Sequence, residues 1–183
     1  MKLAILGAGA VGGSVAELAD GYGHEVVALA DSSSAVVDED GVDAAAALDR
    51  KAANGAVGGD DPADALAADY DALVEATPTT LGDAQPGFDH VEAALERDRH
   101  VVLANKGPVA ERYGEVMSLA DDSAGEVLFE ATVGGAIPVL STISDFGAGQ
   151  ITAARGVLNG TANFILSRMA AEGLDYEHVL AEA

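Results

Sequence analysis

The chain has 183 residues, no cysteine, four histidines, and 31 acidic against nine basic side chains, a formal net charge of −22. Its length suits one well-packed domain, or one domain and part of another. The composition excludes disulfides, thiolate catalysis and cysteine zinc sites, and the negative field argues against nucleic acid or anionic membranes as partners.

The four histidines are scattered, so no transition-metal cage is expected. The apolar runs are far shorter than a bilayer span. Met1-Lys2 runs directly into a strand-like stretch without a signal pattern, so a soluble cytoplasmic protein is expected. The acids are spread among Ala, Val and Leu rather than blocked, as on a solvated helical surface. With so few lysines, this suggests adaptation to a salt-rich cytoplasm, where mutual repulsion is screened.

In chain order, "KLAILG" (2–7) predicts a buried strand, followed by a glycine turn and a helix to about Ala19. Residues 24–31 predict a second strand and 43–55 a helix, with Gly55 as its C-terminal stop. A third strand is expected at 70–77, a loop over 78–87, a helix over 88–98, a strand at 100–105, a helix over about 108–121 and a strand at 125–131. This alternation implies an α/β fold, a Rossmann-type doubly wound parallel sheet. "TVGGAIP" then reads as a hinge. After it come a helix (about 138–146), a strand (151–159), and a helix (161–173) with Phe164, Ile165, Leu166 and Met169 inward. A last helix is capped by Asp175, with Val179 and Leu180 on one face. That helix has no closing signal, so the polypeptide is expected to continue past Ala183. The expected division is a dinucleotide-binding domain over 1–131 and the start of an α+β catalytic and dimerisation domain over 132–183.

"GAGAVGG" (7–13) fits G-x-G-x-x-G directly between a strand and a helix. Gly7 permits the tight turn, Gly9 lets backbone approach a pyrophosphate, and Gly12 lets helix and strand pack closely. The helix start offers free N–H groups to phosphate. Asp31 follows 19 residues after Gly12, where an acid accepts from the ribose hydroxyls of NAD and repels the 2′-phosphate of NADP. Ser32 to Ser34, Arg50 or Lys51 could instead receive such a phosphate, so NAD versus NADP stays open. Thr77 and Pro78 end the third strand, and Lys106 in "LANKGP" leaves the next one at the same carboxyl edge. Ligands of doubly wound sheets sit at that edge. Lys106 is one of only three lysines, which favours a role on a phosphate or substrate oxygen over a surface ion pair.

Five stretches together resemble the homoserine dehydrogenase family: "GAGAVGGSV" (7–15), "EATPT" (75–79), "ANKGP" (104–108), "EATVGGAIPVL" (130–140) and "GVLNGTANFIL" (156–166). The first is shared with many dehydrogenases; the last two are much more specific. The resemblance implies NAD(P)H-dependent reduction of L-aspartate 4-semialdehyde to L-homoserine, on the route to threonine and methionine, by a homodimer. It implies that Ala10, Val11 and Gly12 lie against the dinucleotide and that Thr77 and Lys106 contact its nicotinamide half. It further implies a monovalent cation, Na+ or K+, held by Glu130 and the carbonyls of Val133, Gly135 and Ile137, and a substrate bordered by Asn159, Gly160 and Thr161. The family's proton-donor lysine and acidic substrate residues follow the helix that starts at Tyr176 and find no match here. Lys106 is the secondary candidate for donating to the alkoxide. The alternatives are a dinucleotide-binding module without turnover, and another amino-acid-pathway reductase, against which "NGTANFIL" counts.

Overall fold

The apolar runs become strands buried on both faces, which is why they carry no polar alternation. A computed structural model describes residues 1–182. Six strands form one sheet: β1 (Lys2–Leu6), β2 (Glu25–Ala30), β3 (Ala35–Val37), β4 (Ala72–Glu75), β5 (His100–Leu103) and β6 (Val127–Leu128), in the order β3-β2-β1-β4-β5-β6. All neighbours are parallel except β2 and β3. The order reverses between β1 and β4, which makes that junction the topological switch point.

Side chains alternate between the two faces. Leu3 and Ile5 join Ala16, Leu29, Ala47 and Val74 under helices α1 (Ala10–Leu18) and α2 (Ala44–Asn54). Ala4 and Leu6 join Leu73, Phe88, Val91, Leu103 and Val116 on the other face. That face is covered by α3 (Pro62–Ala67), α4 (Gly87–Leu95), α5 (Gly107–Glu111) and α6 (Tyr113–Asp121). Helix α2 starts and stops on local signals: the Asp43 side chain accepts from the Ala46 N–H at 2.9 Å, and Gly55 closes it at φ 81°.

Several elements depart from the sequence expectation. The helix expected over 108–121 breaks at Arg112, whose backbone leaves the helical region (φ −131°) while its guanidinium lies 3.3 Å over the Phe88 ring. The strand expected at 125–131 pairs only over Val127–Leu128, because Glu130–Thr132 closes a 3₁₀ turn. The strand expected at 151–159 does not form. A strand needs partners for its backbone groups, and none of the described strands pairs with this stretch.

The chain divides into a unit spanning Met1–Pro138 and a second from Val139 onward. The second holds α7 (Val139–Phe146), α8 (Gly160–Glu172) and α9 (Tyr176–Leu180). Of the residues expected inward, Ile165 and Val179 are buried, but Phe164, Leu166 and Leu180 are exposed. Helices α8 and α9 pack on each other, and Phe146, Leu158, Phe164, Leu166 and Leu180 stay exposed.

Candidate functional site

A cleft of about 1020 Å³ opens at the carboxyl edge of the sheet, across the switch point. Its base is the turn after β1. Gly7 adopts φ +107°, and a Cβ there would sit 2.4 Å from the carbonyl of Ala76, so only glycine lets β1 and the loop after β4 approach this closely. A Cβ on Gly12 would sit 2.0 Å from the Gly7 oxygen, which seats α1 directly on the turn. Gly9 differs: a Cβ there would meet nothing within 4 Å, so the space above it is open. The first helical bond of α1 runs from Gly13 N–H to Gly9 O, and the amides before it have no helical partner. An open space over free amides at a helix start suits a phosphate.

Gly7, Gly9, Ala10 and Val11 line the cleft, as do Asp31, Thr77 and Pro78. Gly12 is buried beneath it. Lys106 does not line it but follows Ala104, which does. The backbone N–H of Lys106 donates to Thr79 Oγ1 at 3.3 Å. Among the described residues, no carboxylate pairs with the Lys106 side chain, whereas Lys51 pairs with Asp31.

Asp31 sits just past β2 in a dense set of donors. Its Oδ1 accepts from the N–H groups of Ser33 (2.9 Å) and Ser34 (2.8 Å) and from both hydroxyls. Lys51 Nζ lies 3.2 Å from Oδ2. Burial raises the pKa of this carboxyl, but the bonds from Ser33, Lys51 and Ser34 outweigh it and bring the pKa down to about 2. Of the two cations left open by the sequence, Lys51 faces the cleft, while Arg50 donates to the Val57 carbonyl.

The structure also brings in residues that sequence reading passed over. Helix α3 supplies Pro62, Ala63 and Leu66 to the cleft wall, and α4 supplies Asp89 and His90. The α3 start was legible: Asp61 and Asp64 form a capping box with Pro62 at the first position.

Glu130 starts the 3₁₀ turn, and Gly135 adopts φ +60° within the following loop. Val133 and Ile137 on that loop are 44% and 64% exposed. One carboxylate with three carbonyls is an oxygen-only donor set, the chemistry that a hard cation takes. Among the described residues there is no group of three or more His, Cys, Asp or Glu side chains able to hold a metal. In the second unit, Asn159 caps α8, its Oδ1 accepting from the Ala162 N–H at 2.8 Å, with Gly160 and Thr161 exposed in the first turn. No helix among the described residues is long and apolar enough to cross a membrane.

The mostly parallel sheet, glycine turn and switch-point cleft define a Rossmann-type fold. Comparison with known proteins narrows this. The sequence model for homoserine dehydrogenase matches residues 138–183, and that for glutamate/leucine/phenylalanine/valine dehydrogenase matches 1–78. The homoserine dehydrogenase of Methanocaldococcus jannaschii is 37% identical over 201 aligned residues, covering all of this chain and 60% of that protein. A crystal structure from Archaeoglobus fulgidus, assigned as a homoserine dehydrogenase, superposes with a TM-score of 0.85 at 36% identity over all of this chain and 59% of that one. A hyperthermophilic archaeal homoserine dehydrogenase in complex with NADPH superposes at 0.79 with 24% identity, over all of this chain and 60% of that one. The chain belongs to the homoserine dehydrogenase family, and it spans about 60% of the length of its M. jannaschii relative.

Proposed function

We propose that this chain forms the cofactor-binding part, and the start of the substrate part, of an enzyme that interconverts L-aspartate 4-semialdehyde and L-homoserine with NAD(P)H. The observation that carries this reading is the switch-point cleft over the glycine turn, in a chain whose relatives are homoserine dehydrogenases. The cofactor would supply the hydride. The protein's own part is to bind and orient. The amides at the start of α1 would hold the pyrophosphate, and Thr77 and Pro78 would border the nicotinamide half. Lys106, a cation with no carboxylate partner among the described residues, would stabilise the developing alkoxide and is the secondary candidate for donating its proton. Asn159, Gly160 and Thr161 would border the substrate.

For the cofactor, the donors around Asp31 favour NADP(H). With Oδ1 accepting four bonds and Oδ2 beside Lys51, the carboxylate has little capacity left for ribose hydroxyls. Lys51 and the exposed Ser32 could then receive a 2′-phosphate. A Na+ or K+ ion at Glu130, Val133, Gly135 and Ile137, and a homodimer, complete the reading, the cation on its donor chemistry and the dimer on resemblance. The test is homoserine-dependent formation of NAD(P)H, followed at 340 nm with each cofactor and with Na+ or K+ exchanged for a bulky organic cation. Cofactor binding without any turnover would favour a binding module instead.

A further inference from the structure

Glu75, the last residue of β4, is fully buried. Its Oε1 accepts from the Thr77 hydroxyl and, at 3.3 Å, from the Thr77 N–H, and it lies 3.4 Å from His90 Nδ1. Its Oε2 is buried without a donor among the described residues. Taking a carboxylate out of water is costly unless its oxygens are satisfied, and an apolar side chain of similar volume would fill the space without that cost. Stability alone therefore does not account for a glutamate here.

The bonds from this carboxylate lead toward the cleft. The Thr77 hydroxyl accepts from Asn105 Nδ2 at 3.1 Å. Asn105, 1% exposed, accepts from the Gly107 N–H at 2.8 Å through Oδ1. A line of hydrogen bonds thus runs from Glu75 through Thr77 to the residues on either side of Lys106. The start of α4 closes the remaining side: a Cβ on Gly87 would sit 2.5 Å from Asn105 Nδ2 and 3.3 Å from Glu75 Oε2.

We infer that Glu75 is a positioning residue: its carboxylate sets Thr77 at the edge of the cleft and, through Thr77 and Asn105, fixes the loop that carries Lys106. The consequence for cofactor affinity rests on the proposed use of the cleft; the loop ordering does not.

Two variants separate positioning from packing. Glu75→Met keeps the length and removes the acceptor; Glu75→Gln keeps an acceptor and removes the charge. In the cofactor-free full chain, hydrogen exchange at the amides of Thr77 and Gly107 should accelerate about ten-fold in the Met variant, the loss expected for one hydrogen bond to a charged group. The Gln variant should stay within about three-fold of the parent protein, and β1 amides should not change in either. The NADPH dissociation constant should rise about ten-fold in the Met variant, 1.4 kcal/mol, and little in the Gln variant. A folded Met variant with unchanged exchange, or equal effects in Met and Gln, overturns the proposal. Should the Met variant not fold, Thr77→Val removes the linking hydroxyl alone; faster exchange at Gly107 then supports the relay, and unchanged exchange overturns it. If the parent protein itself binds no NADPH, the cofactor reading fails while exchange still decides the positioning role.

Discussion

The two units of this chain reach order by different means. In Met1–Pro138 a parallel sheet is covered on both faces, and nearly all the buried hydrophobic side chains belong to it. From Val139 on, only Ile165 and Val179 are buried among the described hydrophobic residues, while Phe146, Leu158 and Leu166 are 70%, 91% and 64% exposed. The second unit's later helices rest on local signals. Asn159 and Asp175 cap the starts of α8 and α9, and Gly173 closes α8 at φ 69°. Strand pairing builds a core from residues far apart in sequence, whereas capping fixes helices one at a time without making a core.

Substitutions should break this contrast in order of size. Leu73→Ala, at the fully buried centre of β4, should destabilise the first unit by about 2–5 kcal/mol in urea unfolding. A loss below about 1 kcal/mol would mean that the sheet core is looser than its burial implies. Acidification should come next. The folded pKa of Asp31, about 2, lies below its ordinary 3.8. The stability this contributes is therefore full above pH 4 and is lost as pH falls from about 4 to 2. It amounts to on the order of 1–2 kcal/mol, given that Lys51 is partly solvated. In Asp31→Asn that part of the acid transition should vanish; an unchanged acid limb would show that the cluster contributes nothing. Ile165→Val should cost about 0.5–1.5 kcal/mol, read as faster amide exchange confined to α8 and α9. Leu158→Ser should change stability by less than about 0.5 kcal/mol. A larger loss would show that this exposed leucine is covered in solution.

Much of the first unit was legible because continuous apolar runs between glycine and capping signals have few other ways to fold. The glycine turn was equally plain, each of its three glycines having a separate geometric reason. Strand β3 was missed because three residues, Ala35–Val37, carry almost no periodic signal and form a strand only by pairing with β2. The failed strand at 151–159 is the converse: a suitable run with no described strand beside it. The Glu75 relay could not be read from spacing. "YDALVEAT" predicts a buried strand, but the bond joining Thr77 to Asn105 spans 28 positions and exists only once β4 and β5 are neighbours. Asp31 and Lys51 were both singled out, but only the geometry decided that they face each other, which changes how the acid is read.

The most direct measurement is an NADPH titration, by fluorescence, of the parent protein and of Gly9→Val. Gly9 has a negative φ and open space at its Cβ, so the variant should fold normally and place its side chain in the cleft. Saturable one-to-one binding by the parent, lost in a Gly9→Val variant with the same unfolding transition, is the expected result. A folded parent that binds no NADPH or NADH, or a Gly9→Val variant that binds as tightly as the parent, would contradict the assignment of the cleft to the cofactor.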